Sequence, residues 1–333
     1  MSVLTVSPSD FDVATQPGMR DQLAEIYKEF RTKQTHSQHV LHDSEVTYRL
    51  NCPSCLANTE NATVLFEKNG VPHVQCHTCG LVYTSMTLTD AADAAQYDDT
   101  EFMRAYVRLK RHPLFTRLEV TKARFLLQQA IRHHHNLKTV LDVGASTGAV
   151  LAAANYEKIE AYGIEPDSAM AEPLNEQFPG RVINGYFPTD IAPLWPPFDL
   201  ITLLDVLEHM ITPVSFARSL KNNLAPNGLV LIQVPNYNSL LVRLEGSRNS
   251  NYCVGHWQHF TDTTLTDVMG RAGYRCLETG TCITEFDRIM AFRDEEKSRT
   301  IQDLLGTTAE IKTPEDLYRY KLGYKLYGLF APT

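Results

Sequence analysis

The chain has 333 residues, 43% of them hydrophobic and 21% charged, a composition that excludes a disordered or fibrous protein and leaves room for about two domains. Its net charge of −8 argues against a surface that grips phosphate backbones regardless of sequence, because that task needs clustered lysine and arginine. No apolar run approaches the ~18 residues of a membrane span, and the opening MSVLTVSPSDFDV has no signal-peptide pattern, so a cytoplasmic protein is expected.

Residues 1–45 form a polar extension with one predicted helix, Met19 to Lys33, that puts Leu23, Ile26, Tyr27 and Phe30 on one face. Residues 46–86 hold the short β-type runs TVLFE, HVQC and LVYT around two cysteine pairs, Cys52-Pro-Ser-Cys55 and Cys76-His-Thr-Cys79. The pairs stand twenty residues apart, the spacing of a zinc ribbon. Four thiolates satisfy a tetrahedral Zn²⁺ and leave no open position, so the metal is expected to be structural. Such a unit is too small for a core of its own, and it could clamp substrate, grip RNA or brace a neighbouring domain.

Residues 87–136 read as a helical connector or lid, with seven Lys and Arg between Arg104 and Arg124; the run His133 to His135 ends it. From 137 to 295, apolar strands alternate with helical patterns: KTVLDVG, EAYGIEP, GRVING, FDLITLLDV, GLVLIQVPN, YRCLETG and DRIMAFRDE. This order predicts an α/β fold, a Rossmann-like seven-stranded and mostly parallel sheet with helices on both faces and its last two strands as an antiparallel edge. Residues 296–333 are expected as a helical tail, capped at Thr313, Pro314 and Asp316, with an aromatic stripe of Tyr318, Tyr320, Tyr324, Tyr327 and Phe330.

In an open parallel sheet, ligands bind beyond the carboxyl ends of the strands, which directs attention to DVGASTG after the first strand. Gly144 and Gly148 permit a tight turn and close backbone approach, and the helix that follows presents free N–H groups. The lysine of a Walker cradle is absent, and the G-x-G-x-x-G dinucleotide turn is broken at Ser146. Glu165 ends the next strand 21 residues after Gly144, where a carboxylate can accept from both hydroxyls of a ribose.

The order acid-x-Gly-x-x-x-Gly resembles motif I of the class I S-adenosylmethionine (SAM) dependent methyltransferases, D-x-G-x-G-x-G, with Ser146 at the middle glycine. The blocks FDLITLLDVLEHM, LAPNGLVLIQVPN and GHWQHFTDTTLTDVMGRAGY are similar to those enzymes' fourth-strand, fifth-strand and following segments. The resemblance implies that Asp142, Gly144, Ala145, Ser146 and Gly148 surround the methionine part of SAM, with Glu165 and Pro166 at the ribose. By the same resemblance Tyr186 and Phe187 meet the adenine by stacking, and Leu204 and Asp205 sit beside the sulfonium and the substrate. Candidate catalytic groups are His256 and His259 of GHWQHF, His209, Asp205 and Tyr252, each with a structural role as the competing reading.

A zinc ribbon ahead of this domain resembles the bacterial zinc-containing C-methyltransferases of keto-deoxysugars, although only about 40 residues follow the sheet where those enzymes carry a sizeable further domain. The resulting expectation is a SAM-dependent methyltransferase acting on carbon or oxygen of a small molecule, such as a sugar or secondary metabolite. It carries a structural Zn²⁺ and has neither membrane nor nucleic acid as partner. The alternative is an RNA or protein methyltransferase whose ribbon grips a macromolecule, and a third reading is a non-catalytic scaffold of the same fold. The oligomeric state is not legible.

Overall fold

The structure, a computed structural model, describes residues 5–16, 18–36, 42–89, 91–92, 101–191 and 195–333. Helix α1 (Met19–His36) precedes the cysteine-bearing unit, which contains β1 (Val46–Tyr48), β2 (Thr63–Lys68), β3 (Val71–Gln75), β4 (Val82–Thr84) and β5 (Met86–Leu88). Strands β1 and β5 pair with each other, and β2, β3 and β4 form an antiparallel meander. Helices α2 (Glu101–Lys110) and α3 (Pro113–His133) follow. Pro113 separates them, because the residue before a proline is pushed out of the helical region; His112 is extended there and its Nδ1 accepts from the Leu114 N–H.

The main sheet is built from β6 (Thr139–Val143), β7 (Glu160–Glu165), β8 (Val182–Asn184), β9 (Phe198–Leu204), β10 (Leu224–Pro235), β12 (Tyr274–Cys282) and β13 (Lys325–Pro332). Its order is β12-β13-β10-β9-β6-β7-β8, with β13 antiparallel to both neighbours and the pairings from β10 to β8 all parallel. The expected seven-stranded, mostly parallel sheet is therefore present. Helices α4 (Ala149–Glu157), α5 (Ser168–Gln177), α6 (Pro213–Ser219) and α8 (Asp262–Arg271) make the crossovers, and α7 (Leu240–Glu245) packs with α9 (Phe286–Met290), α10 (Asp294–Leu305) and α11 (Pro314–Arg319).

Successive strand residues point to opposite faces, so the sheet supports two cores. On one face Leu200, Leu231 and Leu329 pack with Leu126 of α3 and Leu151 of α4. On the other, Ile201, Val230, Ile232 and Phe330 pack with Leu265 of α8, and this core is continuous with Val74, Leu81 and Tyr83 of the cysteine unit. The small unit thus borrows a core. Strand β11 (Gln258–His259) joins the two parts covalently and by hydrogen bonds, because it extends the meander as a partner of β4. The N-terminal extension is also tied down: the buried Asp12 carboxylate accepts from the Thr284 N–H and hydroxyl and from the Tyr318 hydroxyl.

Two expectations about the C-terminal third are corrected. DRIMAFRDE is not a strand but holds most of α9 and the first residues of α10, since Phe286, Ile289 and Met290 recur at the i, i+3, i+4 spacing of a helix. The seventh strand comes from the tail, where KLYGLFAP is an apolar, aromatic run that fits a strand buried on both faces. Tyr327 and Phe330 consequently belong to the sheet rather than to a helical stripe; Tyr318 and the Thr313–Asp316 cap remain helical as expected. Among the described residues, no helix is long and apolar enough to cross a membrane.

Phe330 is fully buried in the middle of this inserted strand. Phe330→Ala should cost about 3–5 kcal/mol. Urea denaturation will check this, and an unchanged midpoint would show that β13 is dispensable.

Candidate functional site

The chain runs from β6 through β7 to β8 on one side of the sheet and then returns to β9 on the other, so the order reverses between β6 and β9. The crevice beyond the carboxyl ends at that point is the expected ligand site of a doubly wound sheet. A cavity of about 630 Å³ lies there, lined by the loop after β6, residues 165–167 after β7, 185–187 after β8 and 204–206 after β9. Helices α2 and α3 close it with Tyr106, Lys110, Glu119 and Lys122.

The loop is shaped by its small residues. Gly144 has φ 77° and a Cβ there would lie 2.7 Å from Val206 Cγ2, so its bare backbone lets the end of β9 approach. Gly148, also at φ 77°, caps α4 and faces Leu174; it does not line the cavity. The carboxylate of Glu165 accepts from the Ser146 N–H at 2.7 Å and the Asp167 N–H at 2.9 Å, so it both shapes the loop and borders the cavity. Burial pushes Glu165 upward, partly offset by those two N–H groups. Asp142 is buried behind the loop and accepts from the Thr202 hydroxyl; burial pushes it up to about 8, the Thr202 bond opposes this, and the charge of Glu165 adds to it. Ala145, Pro166, Tyr186, Phe187 and Leu204 line the same cavity, as do Ser146 and Asp142.

The other end of the cavity is polar. Asp205, in the left-handed region at φ 58°, accepts from Lys325 Nζ at 2.8 Å and from Gln233 Nε2 at 3.0 Å. Burial alone would raise the Asp205 carboxyl, but Lys325, Lys122 and Lys110 outweigh it and hold the group below the usual carboxylate range. His209 lines the cavity beside Asp205, while Glu208 and His256 stand directly behind it. The His209 and His256 rings meet edge to face at 4.7 Å. Burial pushes both histidines down, His256 to about 3, so their imidazoles are neutral.

The family described as Methyltransferase domain (Methyltransf_23) matches residues 100–279, more than half of the chain. The chain belongs to this methyltransferase family. Its sheet has the class I SAM-dependent methyltransferase fold. Similar solved structures include the plantazolicin methyltransferase BamL in complex with a triazolic desmethylPZN analog and SAH, at 14% identity over 72% of this chain and 94% of that one, TM-score 0.49. A possible histamine N-methyltransferase from Thermotoga maritima shares 18% identity over 70% of this chain and 97% of that one, TM-score 0.44. The mitomycin 7-O-methyltransferase MmcR shares 14% over 72% and 60%, TM-score 0.47. No curated protein matches.

Of the methyltransferase's five candidate catalytic residues, Asp205 and His209 line the cavity, His256 stands behind it, and His259 and Tyr252 do not border it. His259 sits on β11 with its Nε2 3.0 Å from Nδ1 of His73, and Tyr252 packs edge-on against both rings and Phe66. These residues form the seam between the cysteine unit and the catalytic domain. Sequence reasoning missed Tyr106, Lys110, Glu119, Lys122, Gln233 and Lys325. The two helix lysines were visible only as part of a basic face, and Lys325 could have been found only by reading the tail as a strand.

The four predicted ligands converge. Cys52 Sγ lies 3.7 Å from Cys79 Sγ and Cys55 Sγ 3.5 Å from Cys76 Sγ, with all four sulfurs within 4.8 Å of one another. A tetrahedral Zn²⁺ with bonds of ~2.3 Å sets its sulfurs roughly 3.8 Å apart, so the donor set and spacing fit that ion.

The His73–His259 contact makes the seam sensitive to acid. Burial pushes His73 from 6.5 down to about 4 and His259 well below its ordinary value, with the nearby Lys68 and the partner histidine acting in the same direction. The unfolded chain therefore binds protons that the folded one refuses, and stability is full above pH ~6.5 and lost as pH falls toward 4. His73→Phe should flatten that slope, read as the urea midpoint against pH; metal release by the cysteines is common to both proteins, so a parallel pair of curves would refute the assignment.

Proposed function

We propose that this methyltransferase moves a methyl group from SAM to an oxygen or carbon of a small molecule, with its donor end at the loop after β6 and its acceptor end at Asp205 and His209. The observation that carries the reading is the cavity of about 630 Å³ with Glu165 and the glycine loop at one end, His209 at the other and α2–α3 along it. Its size suits a cofactor and a small partner, within the ~300–1,000 Å³ of ordinary ligand sites. Lys110 and Lys122 of the basic helices face this interior, and Arg124 is paired with Glu157, which favours a small acceptor over a macromolecule gripped from outside.

The residues fit the donor. Gly144, Ala145 and Ser146 leave room beside the backbone, Glu165 has its carboxylate where ribose hydroxyls would meet it, and Pro166, Tyr186 and Phe187 provide the flat walls an adenine requires. Lys110 and Lys122 supply positive charge for a carboxylate. SAM supplies a methyl group already attached to a good leaving group. The chain contributes alignment, which can lower a barrier by ~7–11 kcal/mol. Tyr106 and the helix lysines line that interior, and the neutral His209 handles the proton that an oxygen acceptor must lose, a role that contributes ~10²–10⁴-fold. Cys52, Cys55, Cys76 and Cys79 would hold a structural Zn²⁺, closed to substrate.

Calorimetry and labelled methyl transfer test the reading together. Glu165→Ala should weaken SAM binding about 10- to 100-fold, the effect of losing hydrogen bonds to a charged group. His209→Ala should leave SAM affinity intact while lowering kcat by about 100-fold or more. A folded protein that binds no SAM, or a Glu165→Ala protein with unaltered affinity, would overturn it.

Removal of metal gives a separate check. Because β4 is paired with β11 and the cysteine unit shares a core with the sheet, prolonged chelation or Cys52→Ser should lower the thermal midpoint of the whole methyltransferase in one transition. Two independent transitions would show that the unit is not a brace.

A further inference from the structure

Glu208 is completely buried, and neither of its carboxylate oxygens has a hydrogen-bonding partner. A carboxylate in that position is costly unless something opposite in charge meets it. Lys325 is already paired with Asp205 at 2.8 Å and so does not serve Glu208, whose carboxyl is pushed well up by burial and by the charge of Asp205. Besides Asp205, Glu208 faces a pair of imidazoles. One ligand atom from each of Glu208, His209 and His256 lies within 4.8 Å of the other two.

Each histidine has one nitrogen already in use. His256 Nδ1 is 2.9 Å from the carbonyl of Asn251, and the His209 ring lies near the Gly255 backbone, which favours a proton on the nitrogen facing it. A ring nitrogen that donates to a backbone carbonyl fixes the tautomer and leaves the other nitrogen with its lone pair free, the arrangement that surrounds metal-bound histidines. The backbone is held as firmly, since the Trp257 N–H donates to the carbonyl of Glu208 at 2.8 Å and so locks the two halves of the cluster together.

We propose that Glu208, His209 and His256 form a second metal site, separate from the four cysteines, for a divalent transition-metal ion such as Zn²⁺. Two imidazoles and one carboxylate are the donors of open sites for Zn²⁺ and Fe²⁺, in which the remaining positions are left to water or substrate. Bonds of ~2.1 Å place ligand atoms roughly 3–3.5 Å apart, so small ring rotations complete the site. An ion there would give the two oxygens of Glu208 the partner they lack. His209 lines the cavity, and the open side of the site faces it. On the methyltransferase reading above, the ion would hold an oxygen of the acceptor, and His209 would then act on that oxygen's proton through the ion rather than as a free base; this narrows the acceptor to molecules with a hydroxyl or carbonyl oxygen able to bind a metal.

Metal content tests the site without any turnover. Protein loaded with excess Zn²⁺ and desalted should carry two zinc equivalents per chain by mass spectrometry of the metal, and Glu208→Gln and His256→Ala should each carry one. As a second measurement on the unaltered chain, Co²⁺ added to protein holding one zinc should give weak ligand-field bands without the intense charge-transfer band of cobalt thiolate. One zinc equivalent in the unaltered chain, two in the variants, or a thiolate spectrum for the added cobalt would each overturn the proposal. Because SAM binding is measured separately, a second zinc in a protein that does not bind SAM would sink the methyltransferase reading and leave the site standing.

Discussion

The pairing of β4 with β11 is the contact on which the arrangement of this molecule turns. Three hydrogen-bonded strands from the cysteine unit and two residues from beyond the fifth parallel strand make one sheet, and the next residue back, Trp257, hands its N–H to the carbonyl of Glu208 at the mouth of β9. A backbone hydrogen bond fixes position more tightly than a side-chain contact, because both partners are short and have little freedom to lose. The unit is therefore a rigid bracket for the segment that carries Glu208 and His209. Tyr252 and His259 pack on His73 and Phe66 at the seam, while His256 stands behind the cavity with its ring edge-on to His209.

The cavity is asymmetric in charge. Its glycine-loop end is made of backbone groups organised by Glu165, while at and behind the opposite end lie Asp205, Glu208, Lys325 and two neutral imidazoles, all of them desolvated polar groups. Low dielectric makes each of these interactions larger than it would be at the surface and makes any unpaired member expensive. Helices α2 and α3 add Lys110, Glu119 and Lys122 to the same interior, with Glu119 and Lys122 2.9 Å apart. A segment that reads as a connector is thus a wall of the site, and its basic residues divide between solvent and cavity.

Much of the domain was legible because its signals are local. Apolar runs such as TVLDV and FDLITLL alternate with helical patterns, and Gly144, Ser146 and Glu165 are placed by turn chemistry and strand length alone. The two cysteine pairs were equally plain, since metal-ligand spacing depends on a few residues. What could not be read depends on distant partners. DRIMAF and KLYGLFAP are both short and apolar, and only the vacancy between β10 and β12 decides that the second is the strand. Lys325 enters the site solely as a result of that choice, and the inward turn of Lys110 and Lys122 depends on how two helices lie across a sheet that forms far from them in sequence. His259 and Tyr252 look like His256 in the sequence because what separates them, the packing of the first two on Phe66 and His73, comes from a segment far away in the chain.

The placement of β13 has a consequence for how the protein comes into being. An interior strand drawn from residues 325–332 means that the sheet stays split, with β12 apart from β10, until that stretch has left the ribosome. The lysine that neutralises Asp205 arrives in the same event. Nascent chains stalled before it would expose the unmatched edges of two strands, so the emergence of this stretch, rather than completion of the glycine-loop half, is the moment at which a working enzyme first exists.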